Sequence, residues 1–229
     1  MLENIASYVS IVFILTTGIS VFLFYKACNN SKKVLFILIG WASIQGILGY
    51  SFFYQDTTSF PPRFGLALVP PLLLIISLFF TKKGKLFIHT LSIKTLTLLH
   101  TVRIPVELVL YWLFLHKAIP ELMTFSGRNF DILAGITAPF IFYFGYINKI
   151  IRPRVLLTWN IVCLLLLLFI ILNAILSFPS PFQQFAFDQP NIALLYLPYV
   201  WLPSVIVPIV LFSHLVSIHY LLKELKILK

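Results

Sequence analysis

The sequence has little charge, because charged residues make up only 10% of its 229 residues and seven of them are acidic. Soluble globular domains carry about a quarter charged residues. Hydrophobic residues make up 60% of the chain, and the mean hydropathy is +0.99. A soluble core could not bury this much apolar surface, so we expect the solvent to be a lipid bilayer. The chain outside the apolar runs is too short for a separate soluble domain, which predicts one all-α integral membrane domain over residues 1–229.

The sequence also lacks the residue patterns of several enzyme and cofactor classes. Its two cysteines, Cys28 and Cys163, are too few for a disulfide framework. It has no H-E-x-x-H motif, no P-loop and no G-x-S-x-G motif. His214 and His219 are five residues apart and would point to opposing faces of a helix, which disfavours a shared metal. We therefore expect no metal and no cofactor, although a haem between His100 and His214 is geometrically conceivable.

Seven apolar runs reach the length of a membrane span, with about 18 to 30 residues against the roughly 20 that are needed. They cover residues 5–25, 34–54, 64–81, 95–116, 131–148, 155–177 and 192–221. Residues 85–94, which precede the fourth run, contain two lysines and a histidine. We expect them to lie at the membrane interface rather than in a span.

The loops alternate in charge along the chain. Lysines and arginines cluster after the first, third, fifth and seventh predicted helices, whereas only Arg63, Lys117 and Arg128 fall on the opposite side. The positive-inside rule therefore predicts an extracytoplasmic N-terminus, a cytoplasmic C-terminus and insertion in the plasma (inner) membrane. The same clustering accounts for the net charge of +10, so we expect the partner to be the lipid bilayer and not nucleic acid.

The fourth predicted helix carries ionisable residues inside an apolar run. At 100° per residue, His100, Arg103, Glu107 and Tyr111 fall within an arc of about 80°. Ionisable residues in a span face the protein interior and mark functional sites by default. Arg103 and Glu107 are four residues apart and can pair within the helix, with Pro105 between them. The stripe is thus either a self-neutralising structural pair or a site for a ligand, ion or proton.

Polar residues of other helices extend this stripe. Judged by their distance from the basic loops, Asn160 and His214 lie at the depth of His100 in the inner half, and Asn173 lies towards the outside. The predicted ligand-binding residues are Arg103, Glu107, His100, Tyr111, Asn173, Asn160 and His214.

The extracytoplasmic loops predict an outer mouth formed by Arg63, Arg128, Asp131 and Asp188. Arg63 precedes a helix N-terminus, where a cation opposes the helix dipole, so it requires an acidic partner or an anionic ligand. Asp131 and Asp188 have a simpler interpretation as N-caps of the fifth and seventh helices. The loop 178–191 is long and rich in phenylalanine, and it can fold over the bundle as a lid.

These features favour a transporter or a carrier of a small polar or anionic ligand, with proton exchange at Glu107 as one variant. One alternative is an intramembrane or lipid-modifying enzyme that uses His100 and Glu107 as acid and base. Another is a structural or assembly subunit of a membrane complex. The sequence leaves the ligand and the oligomeric state open.

Overall fold

The computed structural model describes residues 5–60 and 62–227. The ends of the predicted domain, residues 1–4 and 228–229, lie outside this range, as does Pro61. The chain is 74% helical, and no strand occurs among the described residues. The prediction of an all-helical chain is therefore confirmed.

Nine α-helices occur in the described ranges. They are α1 (Ser7–Ala27), α2 (Lys32–Tyr50), α3 (Gly65–Phe80), α4 (Lys82–Thr90), α5 (Ile93–Leu99), α6 (Arg103–Leu115), α7 (Ile132–Phe140), α8 (Pro153–Leu176) and α9 (Val207–Ile227). Short 3₁₀ turns lie at Phe53–Gln55, His100–Val102, Glu121–Met123 and Ala193–Leu195. Segments of π-helix lie at Ile141–Ile147 and Leu202–Ile206.

Five helical segments are long and apolar enough to cross a membrane. They are Ser7–Ala27, Lys32–Tyr50, Ile93–Leu115, Pro153–Leu176 and Leu202–Lys226. The bent pair formed by α3 and α4 would make a sixth, and Ile132–Ile147 is a shorter apolar helix. Large apolar side chains such as Phe36, Ile47 and Leu165 are exposed along these helices. This surface is compatible with a membrane protein whose helices face lipid.

Helix α4 turns away from α3 by 93°. The Thr81 hydroxyl accepts a hydrogen bond from the Gly84 backbone N–H and so caps α4. Gly84 also lies against the backbone of Leu78, where the Cβ of any other residue would collide. The bend therefore turns α4, which contains three lysines, away from the axis of α3. The interfacial position of residues 85–94 stays a prediction.

The fourth predicted helix is continuous but irregular in its middle. Helices α5 and α6 join through the 3₁₀ turn at His100–Val102. Pro105 has no backbone N–H, so the Thr101 carbonyl loses its usual helical donor, and the backbone tightens before it. This turn places His100 and Arg103 at the junction of two helical segments.

The last helix begins later than the sequence suggested. Residues 192–200 form a 3₁₀ turn and further turns, the π-helix Leu202–Ile206 follows, and regular α-helix starts at Val207. Pro198 and Pro203 each remove a backbone donor, and proline disfavours helical geometry in the preceding residue. The predicted start at residue 192 is therefore wrong, and Asp188 lies too far upstream to cap this helix.

Helix α9 forms the centre of the bundle. In its most apolar part 67% of the residues are buried, against 17% in α2 at the periphery. Helix α8 packs along α9, and α1 packs against α5 and α6. The polar residues His100, Arg103, Glu107, Asn160 and His214 are buried inside this bundle.

Candidate functional site

Arg103 is buried at the start of α6, with only 3% of its surface exposed. Its Nε atom lies 3.2 Å from Oδ2 of Asp131, which is 5% exposed. Arg103 therefore pairs with the residue before α7 and not with Glu107 of its own helix. Asp131, which the sequence suggested for the outer mouth or for a cap, lies inside the protein and makes no side-chain capping bond.

A close approach of two helices makes this ion pair possible. Gly135 follows Asp131 by one turn of α7 and faces the first turn of α6. A Cβ atom at Gly135 would lie 3.0 Å from the Ile104 side chain and 3.2 Å from the Arg103 Cβ. Glycine thus lets the backbone of α7 pack directly against the helix that carries the arginine.

Asn129 connects the two acidic residues of the site. Its Nδ2 donates to Glu107 Oε1 over 2.6 Å and to the Met123 carbonyl over 3.1 Å. Its Oδ1 accepts from the Asp131 backbone N–H over 3.1 Å. Because Asn129 is only 1% exposed, these bonds fix the Glu107 carboxyl and the start of α7 relative to each other. We call Arg103, Glu107, Asn129 and Asp131 the acidic cluster.

A cavity of about 210 Å³ adjoins the acidic cluster. Glu107, Asn129 and Asp131 are among its lining residues, whereas Arg103 is not. The other lining residues are almost all apolar and come from α3, α6, α8 and the segment before α9. The cavity thus has one acidic wall inside an apolar enclosure, and the guanidinium group lies behind that wall.

Two oxygen atoms of this wall have no hydrogen-bond partner among the described residues. They are Oε2 of Glu107 and Oδ1 of Asp131. Buried polar atoms are almost always hydrogen-bonded, so an unpartnered acceptor beside a cavity indicates where a donor of a bound molecule would lie. Oε1 of Glu107 accepts from Asn129, and Oδ2 of Asp131 lies 3.2 Å from Arg103 Nε in an ion pair without a hydrogen bond.

The loop before α3 and the loop 178–191 line one end of the cavity. The rings of Phe64 and Phe178 stack with centroids 4.4 Å apart, and both residues line the cavity together with Phe182. Nε2 of Gln189 donates to the Ile119 carbonyl, which ties the loop 178–191 to the end of α6. The loop 178–191, which the sequence suggested as a lid, therefore contributes lining residues to the cavity.

A second polar group lies at the junction of α5, α8 and α9. The rings of His100 and His214 stack with centroids 3.8 Å apart, and the Trp159 ring packs against both. Nδ1 of His214 lies 3.0 Å from Oδ1 of Asn160. All three predicted ligand-binding residues of the inner half are thus brought together and fully buried. We call His100, His214 and Asn160 the histidine cluster.

The remaining predicted ligand-binding residues do not line the cavity. Tyr111 stacks on Phe125 at 4.9 Å on a partly exposed surface. Nδ2 of Asn173 donates to the Phe169 carbonyl of its own helix. Neither residue is among those that enclose the cavity beside Glu107.

The residues suggested for the outer mouth do not form one group. Arg63 pairs with Asp56 at 2.7 Å, which supplies the acidic partner that its position required. A hydrogen bond from Thr58, together with the nearby Arg63, holds the pKa of Asp56 below its usual range. Arg128 lies over the Phe185 ring at 5.6 Å, and Asp188 is exposed.

The sequence pattern missed Asn129 as a member of the site. The residue precedes a predicted helix, where asparagine is a common cap. The available signal was Asp131, an acidic residue two positions later in the "RNFD" segment and close in sequence to an apolar run. A buried arginine needs an acidic partner, and this segment supplies both that partner and the amide that positions it.

Comparison with known proteins gives a family but no function. No curated protein and no solved structure matched the chain. The matched family is described as "Domain of unknown function (DUF8737)", and its match covers residues 60–222, which include the acidic cluster, the histidine cluster and the whole of α3 to α8. Since the match spans more than half of the chain, this protein belongs to the DUF8737 family.

Proposed function

We propose that the protein is a membrane carrier that binds a small, mainly apolar molecule with a cationic or hydrogen-bond-donating end. The observation that carries this proposal is the pair of unpartnered carboxyl oxygens on the wall of an otherwise apolar cavity. An engineered apolar cavity of about 150 Å³ takes up benzene. A cavity of about 210 Å³ therefore suits a molecule the size of a substituted benzene ring.

The charges of the acidic cluster favour a cation over an anion. Arg103 is paired with Asp131, so Glu107 has no cation of its own among the described residues. A buried carboxylate without a counter-charge is costly, so Glu107 has to be neutralised by a proton or by a cationic ligand. Exchange of a proton for a cationic ligand at this one carboxyl would couple their movements. The three guanidinium nitrogens of Arg103 also have no hydrogen-bond partner among the described residues. An anionic ligand has less support, because Arg103 does not line the cavity.

The positions of His100 and Glu107 do not support the alternative of an enzyme that uses them as acid and base. It requires His100 and Glu107 to act on one substrate, yet His100 stacks in the histidine cluster and does not line the cavity that Glu107 lines. No observation favours an assembly subunit over a carrier.

The proposal includes seven spans with the N-terminus outside and the plasma (inner) membrane as location. Helix α3 and the helix Ile132–Ile147 have 16 residues each, or about 24 Å, against roughly 30 Å of hydrocarbon. Both would be short spans whose flanking turns complete the crossing. The alternation of basic loops supports this arrangement.

Cysteine labelling in intact cells tests the topology. In a Cys28→Ser, Cys163→Ser background, a membrane-impermeant maleimide should label Ser126→Cys and should label Lys33→Cys only after permeabilisation. The opposite pattern would reverse the orientation, and labelling of both positions in intact cells would contradict an odd number of spans between them.

Counterflow of labelled benzamidine in proteoliposomes tests transport. Benzamidine is a cation at neutral pH, has a benzene-sized body and offers a fork of donors that fits a carboxylate. We expect exchange above the rate of protein-free liposomes, and we expect Glu107→Gln to abolish the excess. Glu121→Gln makes the same chemical change at an exposed carboxyl and should leave the rate unchanged. Equal rates in wild type and Glu107→Gln would overturn the proposal.

A further inference from the structure

A basic pocket lies at the inner end of the bundle, apart from the cavity beside Glu107. It has a volume of about 230 Å³ and lies where α4 and the start of α5 meet α9. Its polar lining residues are His89, His219, Tyr220, Lys223 and Glu224. Nζ of Lys223 lies 3.1 Å from Nε2 of His89, and the His89 and His219 rings lie 6.2 Å apart.

Cations outnumber carboxylates around this pocket, with Lys85 and Lys223 against Glu224 among the described residues. Lys85 precedes His89 by one turn of α4 and adds a further cation on that side. Neither Lys85 nor Lys223 forms an ion pair with a carboxylate in the described part of the chain. Glu224 is the one acidic lining residue. Ammonium, imidazole and phenol groups thus converge as potential donors, which is the chemistry that recognises a phosphate.

An apolar groove lies along the same face of α9 as the basic pocket. The groove has a volume of about 400 Å³ and lies between α2, α3 and α9. Ile209 and Phe212 line the groove, and His219 and Lys223 line the basic pocket. At 3.6 residues per turn, Ile209 and Lys223 point within about 40° of each other and lie about 21 Å apart along the helix axis.

Helix α4 contributes one lining residue to the apolar groove and another to the basic pocket. Its Phe87 lines the groove and stacks on Phe212, whereas His89 lines the basic pocket. The Phe79 ring contacts both Phe212 and His219. A molecule that lies along this face of α9 would therefore place a polar group among the histidines and an apolar chain between α2 and α3.

From this arrangement we infer that the inner end of the protein binds an anionic phospholipid. The phosphate group lies in the basic pocket formed by His89, His219 and Lys223, and one acyl chain lies in the apolar groove. The lipid is held by charge at one end and by apolar contact at the other, so a free phosphate lacks the apolar contact. Phosphatidylcholine carries the same phosphate, but its choline cation cancels the net negative charge that Lys85 and Lys223 attract. This inference does not depend on the ligand of the cavity beside Glu107.

Native mass spectrometry of the purified full-length protein tests the inference. The probes are dioleoyl phosphatidylglycerol, dioleoyl phosphatidylcholine with the same chains, and glycerol phosphate with no chains. One lysine near a membrane surface strengthens the binding of an anionic lipid by about fivefold. We therefore expect phosphatidylglycerol to bind at least fivefold more tightly than phosphatidylcholine. We expect glycerol phosphate not to bind measurably at the same concentrations. Equal affinity for the two lipids would overturn the inference, and so would binding of glycerol phosphate as tight as that of the lipid.

Matched variants test whether the basic pocket causes the preference for phosphatidylglycerol over phosphatidylcholine. Lys223→Gln with His89→Gln should remove the preference for phosphatidylglycerol, whereas Lys226→Gln removes an exposed charge outside the pocket and should retain it. Leu74→Trp fills the groove from α3 and should weaken both lipids. Because Lys223 and His89 are exposed, the double variant should stay folded, which size-exclusion chromatography checks. An equal effect of Lys226→Gln would show general surface charge and contradict a specific pocket.

Discussion

The acidic cluster and the histidine cluster are both buried in the same bundle, and they differ in what surrounds them. Glu107 and Asp131 line a cavity and keep two oxygen atoms without partners. His100 and His214 stack ring on ring, with Trp159 against them, and line none of the three cavities described above. Burial of a polar group alone therefore does not identify a binding site. The group must also line a cavity that a ligand can occupy.

The clusters also differ in charge. The acidic cluster holds a buried ion pair and a further carboxyl group, so its components depend on one another for neutralisation. The histidine cluster can remain neutral, and both ring nitrogens of His100 have no partner among the described residues. Changes in the acidic cluster should therefore affect both stability and ligand binding, whereas changes in the histidine cluster should affect neither strongly.

Asp131→Ala should have the largest effect on stability. It leaves the Arg103 guanidinium buried without its partner, which costs about 3 to 5 kcal/mol of unfolding free energy for a broken buried pair. Reversible unfolding in mixed micelles measures this change. A loss below about 1 kcal/mol, under the range for a broken buried pair, would mean that Glu107 neutralises Arg103 when Asp131 is absent.

Asn129→Ala should have the next largest effect. It removes the donor to Glu107 and the acceptor for the Asp131 N–H, and an unsatisfied buried group costs about 1 to 3 kcal/mol. Asn173→Ala is the matched control, because Asn173 bonds only to a carbonyl of its own helix. The same unfolding assay should show a smaller loss for the control. Equal losses would contradict the linking role of Asn129.

Gly135→Ala should separate α7 from α6. The added Cβ would lie 3.0 Å from Ile104, which is tighter than ordinary packing, and overpacking costs about 1 to 3 kcal/mol. Gly18→Ala is the control, because its Cβ would meet nothing within 4 Å. Alanine there should be neutral or stabilising by up to about 1 kcal/mol, since it favours a helix. If both variants behave alike in the unfolding assay, the close approach at Gly135 does not position the ion pair.

His100→Phe should have the smallest effect. The ring keeps its approximate shape and the two unpartnered nitrogens disappear, so stability should be unchanged or slightly increased. Binding of benzamidine to the cavity should stay within twofold of wild type by calorimetry. A loss of binding in a folded His100→Phe protein would show that the histidine cluster belongs to the ligand site.

The apolar runs were sufficient to predict most helix positions, and proline chemistry explains the late start of the last helix. The apolar run 155–177 matches α8 within two residues, and that run contains no proline. The run 192–221 contains three prolines, and regular helix starts only after the second of them. A hydropathy pattern records which residues avoid water, but it does not record which of them can donate a backbone hydrogen bond.

The site was predictable in its residue types but not in its pairings. The stripe on the fourth helix identified Arg103 and Glu107, and the depth argument grouped His100, Asn160 and His214, which the structure brings together. The partner of Arg103 could not be deduced, because it comes from another helix and depends on how closely Gly135 lets α7 approach. Contacts between distant segments follow from helix packing, which a single sequence pattern does not encode.

Binding of three near-isosteric compounds tests the central claim most directly. Benzamidine, benzamide and benzoate share one ring size and differ in charge, so their dissociation constants from the purified protein report the charge preference of the cavity wall. We predict that benzamidine binds most tightly and benzoate most weakly, and that Glu107→Gln, but not Glu121→Gln, weakens benzamidine at least tenfold while changing benzamide little. Tighter binding of benzoate than of benzamidine, or an unchanged benzamidine affinity in Glu107→Gln, would contradict the account.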